Sequence, residues 1–173
     1  MSELPKDIST VFFKVARIIE GTSVDGPGLR TSIYFSGCNH HCKDCHNPDI
    51  WSLEAGETMS LKQIMEVVVK NDFNVTFSGG DPLLQMPSLL TLAREIKNIG
   101  KNIWCYTGYT YDEIYREKGL KDILTTIDVL VDGKFDQNQK EPSLLFRGSK
   151  NQRLIDCNKT LLTDNIILWE SEE

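Results

Sequence analysis

The sequence predicts an α/β fold in which parallel strands form only part of a TIM-like barrel. Short β-rich runs alternate with helical patterns, an order that implies a parallel sheet with right-handed crossovers. Each glycine-rich or polar motif follows the carboxyl end of a predicted strand, the edge that carries active sites in α/β folds. The chain has 173 residues, whereas a complete eight-stranded barrel needs about 200 or more. We therefore expect an incomplete barrel whose open side can admit a loop of another protein.

Five segments have the β-branched and aromatic composition of strands. The first four end directly in unusual motifs, and the last lies near the end of the chain. These strands are expected at residues 31–36, 73–77, 102–106, 127–131 and 166–169. Residues 136–151 are polar and are expected to form a loop.

Three helices are expected between these strands. The first begins at Ser60, which forms a capping-box pattern with Gln63 ahead of apolar residues at helical spacing. Pro87 suits the first turn of the second helix, which runs to about residue 98. The third begins at Thr110, which forms another capping box with Glu113.

Length and charge limit the domain organisation and the partners. We expect a single domain over residues 1–173, with a motif-bearing core at about 24–153 and a C-terminal tail at 154–173. Hydrophobic residues make up 40% of the chain, enough for a substantial core. The net charge is −6 and Lys and Arg form no block, so binding to nucleic acid or to anionic lipid is not expected.

The chain is expected to be cytoplasmic. Its first residues, Met-Ser-Glu-Leu-Pro-Lys-Asp, contain no apolar leader. No run approaches the roughly 18 apolar residues that a membrane span needs. Of five cysteines, three are crowded together, which argues against a secreted disulfide framework and favours a reducing compartment.

The spacing Cys38-x-x-x-Cys42-x-x-Cys45 is the most informative motif. Three thiols lie within eight residues, and thiolates are the preferred ligands of iron–sulfur clusters. Three protein ligands on a cluster of four irons leave one iron free to bind a small molecule. A structural zinc site is the alternative, because a nearby histidine could supply a fourth ligand: His40, His41 or His46.

A glycine-rich segment, Gly79-Gly80-Asp81-Pro82, follows the second predicted strand. Glycine lets a ligand approach the backbone closely, which suits a loop that cradles an amino acid. Taken alone, the segment is also typical of an ordinary strand-to-helix turn.

Together these motifs resemble those of the radical S-adenosylmethionine enzymes, which combine C-x3-C-x2-C with a Gly-Gly-Glu-Pro-like loop. Residues 25–30 (Asp-Gly-Pro-Gly-Leu-Arg) and 45–48 (Cys-His-Asn-Pro) are similar to those of the glycyl-radical-enzyme activases. Four further segments resemble the activating proteins of anaerobic (class III) ribonucleoside-triphosphate reductases: residues 104–109, 131–135, 142–149 and 151–153.

The resemblance implies a fold of the radical S-adenosylmethionine type and a specific reaction. Cys38, Cys42 and Cys45 would ligate a 4Fe–4S cluster whose fourth iron is chelated by S-adenosylmethionine. Reductive cleavage of this cofactor would give a 5′-deoxyadenosyl radical, which removes a hydrogen from a glycine of the reductase large subunit. The one-electron donor would be a protein of the flavodoxin type. No side chain is expected to be catalytic, because the cofactor carries the radical.

The resemblance also assigns residues to S-adenosylmethionine. The segment Gly79, Gly80 and Asp81 would hold the methionine amino group, and backbone near position 44 would meet the adenine. The superfamily usually has an aromatic residue at that position, where this chain has an aspartate. The full set assigned to the cofactor is Asp44, Cys45, His46, Gly79, Gly80, Asp81, Thr107, Asp132 and Lys134.

Other functions stay open on the sequence alone. The chain could activate a different glycyl radical enzyme, or it could act on a small molecule, as a deazapurine synthase does. A small-molecule enzyme should lack the segment 25–30, the Asp132 and Lys134 pair and the basic segment 147–153. A structural zinc module or an electron-transfer iron–sulfur module is the non-enzymatic alternative. For Asp132 and Lys134 the alternative is a solvated turn.

Overall fold

The structure, a computed structural model, describes residues 7–172 of the chain. Residues 1–6 and 173, which the single-domain prediction includes, lie outside the described residues. None of the helices within 7–172 has the length and apolar content needed to cross a lipid bilayer.

Seven strands, four α-helices and six short 3-10 helices make up the regular structure of the described residues. The strands are β1 (Phe12–Thr22), β2 (Arg30–Phe35), β3 (Glu57–Ser60), β4 (Asn74–Gly79), β5 (Ile103–Tyr106), β6 (Val129–Asp132) and β7 (Arg153–Asp156). The helices are α1 (Leu61–Asn71), α2 (Ser88–Asn98), α3 (Tyr111–Arg116) and α4 (Cys157–Thr163).

The strands form one mixed sheet in the order β3-β1-β2-β4-β5-β6-β7. The four central strands, β2, β4, β5 and β6, are parallel, as the alternation of strands and helices predicts. The prediction of an all-parallel sheet is wrong at both edges, where β1 and β3 pair antiparallel on one side and β7 on the other. These edge strands are joined without helical crossovers, so the sequence lacks the strand–helix alternation that marks the centre.

Local sequence signals set the helix starts. The hydroxyl of Ser60 accepts a hydrogen bond from the Gln63 amide at 3.1 Å, and the Gln63 side chain accepts one from the Ser60 amide at 2.8 Å. Thr110 and Glu113 form the same reciprocal pair at the start of α3. Both predicted capping boxes are confirmed, so the first turns satisfy amide groups that would otherwise lack partners.

The two faces of the sheet bury different side chains. The outer face packs against the helices in a hydrophobic core that includes Ile33, Phe35, Phe77 and Leu130, all fully buried. Alternate residues point to the inner face, where Trp104 lies at the centre of a smaller aromatic cluster. That inner face leads up to the carboxyl ends of the parallel strands, and the aromatic cluster therefore forms the floor below the strand-end loops.

Residues 154–163, assigned to the tail by the sequence, complete β7 and form α4. The predicted strand at 166–169 forms only an isolated bridge between Leu168 and Ile155. The Trp169 amide donates to the Leu154 carbonyl at 2.8 Å, and the Trp169 ring lies 4.9 Å from the Trp104 ring. The end of the chain thus covers part of the inner face.

Arg30, the last residue of the Asp-Gly-Pro-Gly-Leu-Arg segment, is 1% exposed. Its Nε donates to Thr76 Oγ1 at 2.7 Å, and its Nη2 donates to the Val75 carbonyl at 2.7 Å and to Asn102 Oδ1 at 2.9 Å. Burial lowers the pKa of the guanidinium to about 10. Since Thr76 Oγ1 donates in turn to the Asp25 carbonyl, Arg30 fixes the loop before β2 against the neighbouring strands.

We expect Arg30→Met to lower the free energy of unfolding by about 3 kcal/mol, because it leaves the acceptors on β4 and at Asn102, just before β5, without their donor. Urea unfolding under anaerobic conditions measures the change. Arg116→Met, at an exposed site at the end of α3, is the matched control and should change stability by less than about 0.5 kcal/mol. Equal effects of the two substitutions would contradict this role of Arg30.

Candidate functional site

Loops from the ends of all four parallel strands surround one cavity of about 480 Å³. The loop after β2 contributes Cys38, His40, Cys42, Cys45, His46 and Asn47, and the end of β4 contributes Ser78, Gly79 and Gly80. The end of β5 contributes Tyr106, Thr107 and Gly108, and the loop after β6 contributes Gly133, Lys134 and Phe135. Motifs that are far apart in the sequence therefore meet at one edge of the sheet.

The cysteine loop is held at both ends by backbone hydrogen bonds. The amide of Gly37 donates to the Ile50 carbonyl, and that of Cys38 donates to the Trp51 carbonyl, each at 2.9 Å. Between these anchors, His41 and Asp44 adopt positive φ angles of 50° and 57°, a left-handed conformation that turns the chain sharply. The turns bring three free thiols from one short segment to the same cavity.

The three thiols, those of Cys38, Cys42 and Cys45, are only partly exposed. Burial raises the pKa of Cys38 and of Cys42, and the charge of the next cysteine in the motif raises each further. A bound metal reverses this balance, because it deprotonates the thiols that coordinate it. Within residues 7–172, no three His, Cys, Asp or Glu side chains are arranged around one point to hold a single metal ion. The fit to an iron–sulfur cluster therefore rests on three soft donors in one loop around one cavity.

The glycine segment after β4 packs directly beneath the cysteine loop. The Asp81 amide donates to the Gly37 carbonyl at 2.7 Å, and the Gly80 amide donates to the Phe35 carbonyl at 2.9 Å. A Cβ atom added to Gly80 would lie 2.3 Å from the Gly37 oxygen, and one added to Gly79 would lie 2.3 Å from the Phe35 oxygen. Only glycine permits these backbone approaches, so both residues are required by the packing.

Asp81 does not line the cavity and is 2% exposed. It accepts hydrogen bonds from the Leu83 amide, the Thr107 hydroxyl and the Gly108 amide at 2.8 to 3.0 Å. His40 Nε2 lies 2.6 Å from its Oδ2 atom. The carboxylate thus joins the cysteine loop to the ends of β4 and β5, a contact that the sequence did not reveal.

The contact between His40 and Asp81 requires a glycine at position 108, because a Cβ atom added to Gly108 would lie 2.5 Å from the His40 ring. The His40 ring also packs edge-on against Tyr109, with ring centroids 4.7 Å apart. His40 therefore shapes the cysteine loop through packing and hydrogen bonding.

Asp132 is 1% exposed and does not line the cavity. Its carboxylate accepts hydrogen bonds from Arg153 Nε at 3.0 Å, Arg153 Nη2 at 2.5 Å and the Tyr111 amide at 2.8 Å. The hydrogen bond to Asp132 raises the pKa of Arg153. Asp132 therefore joins β7 and the start of α3 to β6. Lys134, two residues later, is exposed and lines the cavity.

The residues expected to meet an adenine ring lie at different positions in the site. His46 lines the cavity, with its ring 4.9 Å from that of Phe135. Asp44 is exposed and does not line the cavity. Its contribution in the structure is the left-handed turn between Cys42 and Cys45.

One wall of the cavity was missed by sequence reasoning. The Tyr34 hydroxyl donates to Asp25 Oδ2 at 2.7 Å, and the Arg17 guanidinium lies 4.4 Å from the Tyr34 ring. Arg17 Nη2 also donates to Asn47 Oδ1 at 2.8 Å. Burial and the hydrogen bond to Asp25 raise the pKa of Tyr34. Arg17 could not be found from the sequence, since β1 itself was not predicted.

The opposite wall is formed by the loop before β7. Phe146 has a φ of 60°, and its carbonyl accepts a hydrogen bond from the Tyr106 hydroxyl at 2.6 Å. Its ring packs edge-on against Trp104 at 5.3 Å. The next residue, Arg147, lines the cavity and donates to the Gln152 carbonyl. This part of the predicted polar loop is therefore ordered by specific contacts.

Comparisons with known proteins find one family model and several named relatives. Residues 24–155 match the family described as a 4Fe-4S single cluster domain. The chain is 41% identical over 141 residues to the anaerobic ribonucleoside-triphosphate reductase-activating protein of Haemophilus influenzae, covering 75% of this chain and 88% of that one. The protein of the same name from Escherichia coli K12 is 40% identical, and the match covers 75% of this chain and 89% of that one. The protein of that name from Enterobacteria phage T4 is 32% identical, and the match covers 80% of this chain and 90% of that one.

Among solved structures, the chain is similar to QueE from Escherichia coli. The TM-score is 0.52 at 14% sequence identity, and the match covers 71% of each chain. At this identity the likeness concerns the fold alone.

We expect Asp132→Asn and Arg153→Met each to lower the free energy of unfolding by about 2 kcal/mol, because each leaves one member of a partly buried ion pair uncompensated. The double variant should lose clearly less than the sum of the two, as expected for side chains in direct contact. Urea unfolding of all four proteins measures the coupling. Full stability of both single variants, together with weakened binding of S-adenosylmethionine, would instead assign Asp132 to the cofactor.

Proposed function

The chain belongs to the family of anaerobic ribonucleoside-triphosphate reductase-activating proteins, and we propose that it generates a glycyl radical on that reductase by the reductive cleavage of S-adenosylmethionine. Identity of about 40% over three quarters of the chain supports the proposal. The observation that carries it is the cavity itself, where three free thiols and a glycine-lined strand end face one space.

Cys38, Cys42 and Cys45 would hold a 4Fe–4S cluster and leave one of its irons without a protein ligand. When bound, the cluster would supply the electron for the reductive cleavage of S-adenosylmethionine, the chemistry from which the glycyl radical on the reductase large subunit would come. The donor set fits this group, because iron–sulfur clusters are held by thiolates and the loop offers three. The role of this chain is to position the cofactor and to exclude competing reactions.

The residues proposed for S-adenosylmethionine divide into two groups by their place in the structure. Gly79, Gly80, Thr107 and Lys134 line the cavity, as Cys45 and His46 do. Gly79 and Gly80 would let the amino acid part approach the backbone closely. Lys134 would supply a cation for a carboxylate.

The second group would contribute to S-adenosylmethionine binding through the backbone or through other residues. It consists of Asp44, Asp81 and Asp132. The carboxylates of Asp81 and Asp132 already accept several hydrogen bonds within the protein. Their contribution would be to hold the strand-end loops at the distance that the cofactor needs. Asp44 would present its backbone at a left-handed turn rather than its side chain.

We also propose that the seven-stranded sheet is an incomplete barrel of the radical S-adenosylmethionine type, formed by a single domain. The inner face carries the aromatic floor, and the cavity opens between the two walls that contain Arg17 and Arg147. A glycine-bearing loop of the reductase would enter there. The segment 25–30, the basic segment 147–153 and the pair Asp132 and Lys134 are all present, which favours a protein substrate over a small molecule.

The electron donor would be a protein of the flavodoxin type, and the compartment would be the cytoplasm. A reducing compartment is consistent with five cysteines that are all free in the structure.

The test is electron paramagnetic resonance of a reaction mixture that contains the reconstituted protein, S-adenosylmethionine, a reductant and the reductase large subunit. We expect a glycyl radical signal and one 5′-deoxyadenosine per radical formed. Cys38→Ala should abolish both products, since the cluster would lose one of three protein ligands.

Cys157→Ala is the matched control, because this cysteine is fully buried in the outer core and lies on α4. That variant should keep the signal. Production of 5′-deoxyadenosine by Cys38→Ala at the wild-type rate, or the lack of a radical with a competent reductase, would refute the proposed function.

A further inference from the structure

An irregularity in β1 determines which face of the sheet carries Arg17. In the antiparallel ladder between β1 and β2, Val15 pairs with Phe35 and Arg17 pairs with Tyr34. Ala16 is therefore an extra residue on β1, and the ladder contains a β-bulge at this point. A bulge shifts the register by one residue, and a shift by one residue moves the side chains that follow to the opposite face of the sheet.

Without the bulge, Arg17 would lie opposite Ile33, because each strand would advance by two residues from the pair of Val15 and Phe35. Ile33 is fully buried in the outer core, and residues opposite each other in a ladder share one face. The bulge instead places Arg17 opposite Tyr34, and both residues line the main cavity. Bulges are frequent next to active sites, where they redirect a side chain. Here the bulge brings a positive charge to the site.

Two contacts hold the guanidinium of Arg17 in place. It lies 4.4 Å from the centre of the Tyr34 ring, and the Tyr34 hydroxyl is itself anchored by donating to Asp25 Oδ2 at 2.7 Å. Arg17 Nη2 donates to Asn47 Oδ1 at 2.8 Å. Arg17 is exposed, so these contacts, rather than burial, fix its position.

Asn47 connects this guanidinium to the cysteine loop. The backbone amide of Asn47 donates to Cys45 Sγ at 3.4 Å, while its side chain accepts the hydrogen bond from Arg17. One residue therefore lies between the positive charge and a thiol of the cysteine motif. Arg17 and Cys45 also line the same cavity.

We propose that Arg17 is a positioning residue for the iron–sulfur cluster, which holds Asn47 against the Cys45 sulfur and supplies a positive charge that favours the reduced cluster. The inference rests on the proposed function, because it requires a cluster on Cys45. It adds to that function a residue outside the cysteine motif that controls how readily the electron is accepted.

The direction of the effect follows from charge. A cluster on three thiolates is negatively charged, and its reduction adds one electron from the reductant without forming or breaking a bond. Hydrogen bonds to the sulfurs and a nearby positive charge stabilise the more negative state, so both raise the reduction potential. Arg17 forms no ion pair with a carboxylate within residues 7–172. Its charge is therefore available to the cluster.

Redox titration of the reconstituted protein tests the inference, with dithionite as reductant, no S-adenosylmethionine present and the reduced cluster measured by electron paramagnetic resonance. At a fixed potential, we expect Arg17→Gln to lower the ratio of reduced to oxidised cluster about threefold, or about 30 mV for one electron. Arg17→Lys keeps the charge and should recover most of this loss. Asn47→Ala should also lower the ratio, because it releases the guanidinium from the cysteine loop.

Arg116→Gln is the matched control, since it makes the same charge change at an exposed site at the end of α3. It should change the ratio by less than about 1.3-fold, because a distant exposed charge is screened by solvent and salt. Iron and sulfide analysis should give the same cluster content for every variant, so that the ratio reports the potential and not a loss of cluster.

A wild-type ratio in Arg17→Gln or in Asn47→Ala would overturn the inference, as would equal losses in Arg17→Gln and Arg17→Lys. An Arg17→Gln protein that keeps the wild-type ratio but binds S-adenosylmethionine or the reductase more weakly would also overturn it, and would assign Arg17 to that ligand. A wild-type protein that assembles no four-iron cluster, or whose reduced cluster does not cleave S-adenosylmethionine, would instead refute the proposed function.

Discussion

The contact between two backbone segments, at Gly37 and at Gly80, is the constraint on which the site depends. The Asp81 amide reaches the Gly37 carbonyl at 2.7 Å, and the packing leaves no room for a Cβ atom on Gly80. This contact sets the height of the cysteine loop above the sheet, because Cys38 directly follows Gly37. The positions of the other two thiols then follow from the two left-handed turns at His41 and Asp44.

Around this contact, charged side chains and reactive groups have different tasks. The carboxylates of Asp81 and Asp132 are nearly fully buried and hold neighbouring loops together through hydrogen bonds and one ion pair. Thiols, glycines and aromatic rings line the cavity instead, together with a few charged side chains: Arg17, Asp25, Lys134 and Arg147. Such a division suits radical chemistry carried by a cofactor, which needs exact positioning more than it needs a protein acid or base. It also explains why a loss of either carboxylate should affect the geometry of the loops first.

The sequence predicted the parts of the fold that are governed by local rules. Capping boxes located α1 and α3, and strand–helix alternation located the four parallel strands that carry the motifs. The edges of the sheet were not predicted, since β1, β3 and β7 join the sheet without the helical crossovers that mark its centre. The position of the motifs at one sheet edge followed from strand order alone. The partners of Asp81 and Asp132 could not be predicted from strand order, because His40 and Arg153 contact these carboxylates only after the chain has folded.

The central claim is that three thiolates from one loop hold a four-iron cluster and leave one iron open to S-adenosylmethionine. Mössbauer spectroscopy of the reconstituted protein tests it most directly, because each iron site contributes its own signal. The account predicts that addition of S-adenosylmethionine changes the signal of one iron in four and leaves the other three as they were. An unchanged spectrum at saturating S-adenosylmethionine would contradict it.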